Sequence, residues 1–212
     1  MKTLVQLCGM SFILANLALQ SAERPPYYFR VDGGGMIQND VDVKSAPGGK
    51  IKMDPGVRFD VAVGYHFTDW FALEGEVGVL YNNIDRITNP TLQLGPNPAP
   101  DDLNFYQVPI LINGVYTLTA HPRLRPYAGV GVGGMVSILE AWQEGWLWDY
   151  RIQEKDFTFA YQGMAGIDYA VNDQIKIGIA YKFLGSLEHD FGSIETKETY
   201  SHSFLAAFTF SY

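Results

Sequence analysis

From residue 27 onward, apolar side chains alternate with polar or small ones at a period of two, which predicts β-strands rather than helices. Eight such segments can be read: 27–37, 57–67, 70–81, 105–117, 125–137, 157–171, 175–184 and 202–212. The second is the cleanest. Val57, Phe59, Val61, Val63, Tyr65 and Phe67 alternate with Arg58, Asp60, Ala62, Gly64 and His66. The first sets Phe29, Val31 and Ile37 against Arg30, Asp32 and Gly34, and the third sets Leu73, Val77 and Val79 against Glu74, Glu76 and Gly78. In the fourth, Tyr106, Val108, Ile110 and Ile112 alternate with Gln107, Pro109, Leu111 and Asn113. The fifth carries Ala128, Val130 and Val132 against Gly129, Gly131 and Gly133. The sixth opposes Phe159, Tyr161 and Ile167 to Gln162, Gly166 and Asp168, and the seventh opposes Ile177, Ile179 and Tyr181 to Lys176, Gly178 and Lys182. The eighth ends the chain with Phe204, Phe208, Phe210 and Tyr212 on one face. Each segment is close to the roughly 9–11 residues that cross a bilayer at a tilt.

Volume decides which face points inward. An eight-stranded barrel has a lumen that a few layers of side chains fill. The aromatic and branched face is too bulky for that space, whereas the face rich in Gly and Ala with scattered charges fits it. The bulky face then points outward, as an apolar band that only lipid can solvate. The connections agree. Those near 68–69, 118–124 and 172–174 are short, and those at 38–56, 82–104, 138–156 and 185–201 are long. Short periplasmic turns alternating with long external loops are the outer-membrane pattern, and they place both mature ends in the periplasm. Closure follows as well, because lipid cannot satisfy an open strand edge.

One long apolar run breaks the alternation. Lys2 precedes a mostly apolar stretch, Leu4 to Leu19, with the small residues Ser21 and Ala22 after it. This reads as a signal peptide over residues 1–22, leaving a barrel domain over 23–212, although Gln20 departs from the small residue expected three places before the cut. Cys8, the one cysteine, lies inside this segment behind Leu7, which argues against lipidation. No later stretch approaches the about 18 consecutive apolar residues of a transmembrane helix. The chain of 212 residues carries a formal charge of −8 and no basic run, which argues against a nucleic-acid partner. Lys2 is the one charge in residues 1–22, so the mature charge is −8 − 1 = −9.

These features resemble the small eight-stranded bacterial outer-membrane proteins of the OmpA, OmpX and OmpW type. The resemblance extends over the whole mature chain, and its most specific part is the end, Phe208-Thr209-Phe210-Ser211-Tyr212. Members of that group typically end in alternating aromatics with a final aromatic, usually Phe, where this chain has Tyr212. The resemblance implies insertion by the outer-membrane assembly machinery, with outer-membrane lipids and lipopolysaccharide as surroundings. It carries over no catalytic residue. The expected fold is all-β, an eight-stranded antiparallel up-and-down transmembrane β-barrel.

Candidate chemistry begins in the lumen, where the alternation places Arg30, Asp32, Arg58, Asp60, Glu74, Glu76, Asp168, Lys176 and Lys182. Both signs occur, and buried charges must be paired. A salt-bridged plug is favoured over a narrow polar conduit. The alternation does not assign individual pairs; if Arg58 and Glu74 or Glu76 are paired in such a plug, neutralising one partner should lower stability. The third long loop groups Trp142, Trp146, Trp148 and Tyr150, which suit either an interfacial aromatic collar or a ligand-binding surface. Gly129, Gly131 and Gly134 spell G-x-G-x-x-G, but no helix pattern follows, so the glycines are expected to make lumen room rather than hold a dinucleotide. Acidic pairs at Asp40 and Asp42, Asp101 and Asp102, Glu188 and Asp190, and Glu195 and Glu198 read first as a solvated surface. A proline-rich stretch over 89–102 reads as a stiff surface loop. Ser201-His202-Ser203 is the best hydrolase candidate, yet adjacent strand residues face opposite ways, so His202 and Ser203 should not meet. No motif calls for a metal or cofactor.

The favoured function is therefore non-enzymatic: a structural or surface-interaction role through the external loops, with surface ligands as candidate partners, over a plugged lumen. A narrow channel for small or hydrophobic solutes ranks second, and a lipid-modifying hydrolase third. A soluble lipocalin-like carrier conflicts with the volume of the outward face.

Overall fold

The computed structural model describes residues 26–43, 49–87, 102–143, 150–187, 189–190, 195–196 and 198–212. In chain order the described strands are β1 (Tyr27–Gln38), β2 (Val41–Val43), β3 (Gly49–Met53), β4 (Gly56–His66), β5 (Phe71–Ile87), β6 (Asp102–Thr117), β7 (Leu124–Gln143), β8 (Tyr150–Ala170), β9 (Ile175–Ser186), β10 (His189–Asp190), β11 (Glu195–Thr196) and β12 (Thr199–Ser211). Eight of them, β1, β4 to β9 and β12, make the barrel wall, each antiparallel to its neighbour in this order. The first and last strands close the wall, from Tyr28 opposite Ser211 to Gln38 opposite Ser201. The four short strands lie within the long connections and extend the sheet beyond the wall, β3 onto β5 and β11 onto β2.

Solvation is inverted relative to a water-soluble protein. Val130 is 72% exposed and Phe204 64%, while Arg58, Glu76 and Lys182 are each 1% exposed. Only hydrocarbon around the wall makes that arrangement favourable. Aromatic rings mark both rims of the outer face. At the turn end, Tyr212 stacks on Phe210 and Tyr27, Tyr27 meets Tyr65, and Trp70 meets Tyr116. At the loop end, Phe183 packs on Tyr200, His202 and Tyr161, and Tyr81 on Tyr106. Tyr200 and Phe210 are ten residues apart on β12. At about 3.3 Å per residue and a tilt of about 40°, their spacing is roughly 25 Å, the height of an outer-membrane apolar band.

The three short turns share one local device. In each, a side-chain acceptor takes the backbone N–H groups two and three residues ahead. Thr68 Oγ1 accepts from Trp70 and Phe71 at 3.4 and 3.0 Å. His121 Nδ1 accepts from Arg123 and Leu124 at 3.2 and 3.1 Å. Asn172 Oδ1 accepts from Gln174 and Ile175 at 2.9 and 2.7 Å.

The long connections differ from the sequence reading. The expected loop at 138–156 is mostly strand, since β7 and β8 stay paired from Leu124 opposite Tyr169 to Gln143 opposite Tyr150. β5 and β6 likewise run past the expected ends of their segments. The 20 residues of β7 span roughly 66 Å, or about 47 Å along the normal at a 45° tilt, against a hydrocarbon core of about 30 Å. The hairpin therefore projects beyond the bilayer. Alternation weakens there, so the hydrophobic pattern stops before the strand does.

Glycines admit the inward charges. A Cβ at Gly131 would overlap Asn113 Oδ1, and one at Gly178 would overlap Asp168 Oδ1. The G-x-G-x-x-G run is split by the alternation: Gly129 and Gly131 line the lumen, and Gly134 on the outer face receives the Phe157 ring. Gly163 faces outward with open space around it. Gly131→Val is expected to destabilise the barrel by about 1–3 kcal/mol through overpacking, and Gly163→Val to fall within about 0.5 kcal/mol of the parent. Urea unfolding in lipid vesicles, read by heat-dependent gel mobility, measures both. Equal effects would mean that the lumen does not impose this constraint.

Candidate functional site

The lumen charges gather into one connected cluster. At its centre, Arg58 on β4 donates through Nε to Asp60 on the same strand, at 2.8 and 2.9 Å to the two carboxylate oxygens. Its Nη2 reaches Glu76 Oε1 on β5 at 3.0 Å and Gln162 Oε1 on β8 at 2.5 Å. Lys182 on β9 faces three carboxylates, Asp32 at 2.8 Å, Asp60 at 2.9 Å and Glu76 at 3.0 Å. Asn113 on β6 donates to Glu76 Oε2 at 2.8 Å. Six strands thus contribute to a group of contacts about a single ammonium and a single guanidinium.

Asp32 joins this centre to a second group nearer the turns. Its Oδ1 accepts from Arg30 Nε at 2.9 Å while its Oδ2 holds Lys182. Arg30 also donates to Asp168 Oδ2 at 3.0 Å, to Thr209 Oγ1 at 3.4 Å and to the Tyr127 hydroxyl, whose ring its guanidinium overlies at 4.8 Å. Tyr28 donates to Glu74 Oε1 at 2.6 Å. Of the two partners open to Arg58, the structure gives Glu76, while Glu74 turns to Tyr28. Lys176 lies at the turn end, 5.7 Å from the centroid of the Tyr28 ring.

Apolar side chains flank the Arg58–Lys182 centre on both sides. Met36, Leu80, Leu111, Met135, Ala160 and Leu184 form one, each two or four residues loop-ward of a lumen-facing cluster or glycine position on its own strand. Val115, Met164 and Ala180, with Tyr127 and Leu205, form the other on the turn side. Water competes poorly for ion pairs enclosed in this way, so each pair is stronger than at a surface, and breaking one costs more. Loop-ward of the first layer, the Gln38 amide and the hydroxyls of Ser137 and Ser201 are buried without a hydrogen-bond partner among the described residues, as is the Ser203 hydroxyl opposite Met36 and Lys182.

The remaining candidates lie elsewhere. Trp146 and Trp148 lie outside the described residues, and Trp142 and Tyr150 sit at the paired ends of β7 and β8. Asp101 and Glu188 also lie outside them, as does most of the proline-rich stretch. Glu198 is exposed and accepts from the Tyr200 hydroxyl. Among the described residues no three His, Cys, Asp or Glu side chains are grouped to hold a metal ion. His202 faces outward, with Nδ1 2.7 Å from the Tyr181 hydroxyl, while Ser203 is buried in the lumen. Their opposite faces are what strand alternation requires. Phe208, Phe210 and Tyr212 point outward at the turn-end rim.

Sequence reasoning missed Tyr28, Tyr127 and Thr209 as cluster members. Their signal was parity: Tyr28 has the phase of Arg30 and Asp32, and Tyr127 that of Gly129 and Gly131.

Comparison with known proteins agrees with this geometry. Uncharacterised proteins of Brucella abortus and Brucella melitensis are each 24% identical over 145 residues, 61% of this chain and 51% of theirs. The chain therefore spans about half the length of these relatives. Among solved structures, Neisserial surface protein A superposes with a TM-score of 0.57 at 13% identity, covering 88% of this chain and 97% of that one. The outer membrane protein OprG from Pseudomonas aeruginosa gives 0.52 at 14% identity, covering 89% and 98%. At such identities the likeness is one of fold. The family model described as the outer membrane protein beta-barrel domain matches residues 5–210. With nearly its whole length matched and its wall closed around a polar lumen, the chain belongs to the outer membrane protein beta-barrel family.

Proposed function

We propose that this protein is a non-enzymatic outer-membrane barrel that acts through the loop-end surface, with its lumen held shut by the ionic cluster. The single observation that carries the reading is Lys182 ringed by three carboxylates at 2.8–3.0 Å between two apolar layers. A solute crossing the lumen would have to part Asp32, Asp60 and Glu76 from Lys182 and Arg58 without water to replace them. Pairs of this kind cost several kcal/mol to separate. The projecting β7–β8 hairpin supports the surface role, since it carries Trp142 and Tyr150 beyond the band and brackets Trp146 and Trp148.

Several parts belong to the same reading. Residues 1–22 serve as an export signal. The short turns face the periplasm and the long hairpins face outward, toward lipopolysaccharide and surface ligands. Phe208, Phe210 and Tyr212 present the signal for the assembly machinery. The non-enzymatic assignment draws support from His202, which engages Tyr181 on the outer face rather than any serine.

Planar-bilayer recording of refolded residues 23–212 tests the closed lumen. A heat-dependent gel shift without steady, discrete conductance is expected. Steady solute-dependent steps would replace this reading with a narrow channel. Arg58→Gln, which leaves Asp60 and Glu76 short of a cation, is expected to lower stability by about 3–5 kcal/mol; an unchanged urea midpoint would remove the cluster as the closing element. Replacing residues 144–149 by Asn-Gly should leave the gel shift intact and abolish binding to lipopolysaccharide vesicles. Undiminished binding would move the interaction surface elsewhere.

A further inference from the structure

A second polar site lies at the other end of the barrel. Among the described residues, a cavity of about 270 Å³ opens at the turn end between the β6–β7 and β8–β9 turns. Arg123 and Arg125 enter from the first of these turns and the start of β7, Asn172 and Asp173 from the second, Lys176 from β9 and Ser211 from β12. Three formal cations face one carboxylate there, in a chain whose net charge is −8. The volume is just below the roughly 300–1,000 Å³ typical of small-molecule sites.

The two arginines are available for a ligand. Arg123 donates to the Tyr169 hydroxyl at 3.2 Å and Arg125 to the Pro122 carbonyl at 3.4 Å, both neutral oxygens. Asp168, the next carboxylate inward, already holds Arg30 at 3.0 Å. A separate observation marks the cavity floor. Ser211 is 3% exposed, yet its hydroxyl has no hydrogen-bond partner among the described residues. A buried donor without a partner has lost its water without replacing it, a cost that an oxyanion at that position would recover.

We infer that the turn-end cavity is a phosphate site, with Arg123, Arg125 and Lys176 neutralising the oxyanion and the Ser211 hydroxyl donating to it. Guanidinium groups match a tetrahedral phosphate through paired N–H donors, and the ammonium adds a point charge. Arg123 sits at the rim, bonded to Tyr169 on the lipid-facing surface, so the same chemistry suits either a phospholipid headgroup of the adjoining leaflet or free phosphate. The inference is independent of whether the lumen conducts.

Titration of the full folded barrel in maltoside micelles, which contain no phosphate, tests it. Inorganic phosphate is added while the backbone resonances of Arg125, Asn172, Lys176 and Ser211 are followed by NMR. Saturable shifts confined to these positions are expected. The double variant R123Q/R125Q should weaken the affinity by roughly tenfold or more, and Ser211→Ala by about threefold, each with the gel shift retained. Linear shifts that do not saturate, or equal affinity in all three proteins, would overturn the site. Micelles doped with phosphatidylglycerol separate the sources. Competition with phosphate in the parent assigns a lipid headgroup, and its absence assigns free phosphate; both leave the oxyanion site standing.

Discussion

A backbone N–H or C=O facing hydrocarbon without a partner costs several kcal/mol, and a strand edge presents a row of them. The pairing of β1 with β12 removes the last such edge. Once the sheet closes, every second residue is committed to a narrow lumen and its neighbours to lipid. The outer band of Val, Ile and Phe, the inner glycines and the buried charges all follow from that division. No other arrangement lets Arg58 and Val57 sit side by side in one strand, the first buried and the second in contact with lipid.

Closure also creates the problem that the cluster resolves. A lumen walled by backbone has little room and little water, so charges placed there must find each other. They do so by sharing. Asp32 serves both Arg30 and Lys182, and Glu76 serves Arg58, Lys182 and Asn113. Replacing such a network with packed apolar residues is often neutral for stability, so its value lies equally in fixing which strand sits beside which. A one-residue slip of β9 would turn Lys182 into lipid and leave Asp32 with Arg30, and Asp60 and Glu76 with Arg58, as their one remaining cation.

Strand phase was legible in the sequence because a period of two needs only local chemistry. Arg30, Asp32, Arg58, Asp60, Glu74, Glu76, Asp168 and Lys182 all fall inward as the alternation required. Partnership was not legible. Whether Arg58 meets Glu74 or Glu76 depends on the stagger between strands, which the whole closed sheet sets. Nor was the reach of β7 and β8 readable past the bilayer, where the alternation fades while backbone pairing continues. The turn-end cavity was equally hidden, since Arg123, Lys176 and Ser211 are distant in sequence and meet only through the pairing of β7, β8, β9 and β12.

The three short turns bear on how quickly the wall can be built. Each holds its bend with a side chain two and three residues from the groups it captures, so β4–β5, β6–β7 and β8–β9 can zip as hairpins soon after their residues are available. Loop-closure entropy for such contacts is small. The seam is the opposite case. Tyr28 and Ser211 are opposite one another across almost the whole chain, and Gly33, Gly34 and Gly35 give β1 no side chains with which to grip β12 at its middle. Contacts of that range form slowly. The pairing of β1 with β12 is therefore the contact of longest sequence range in the wall, and the one that joins its two ends.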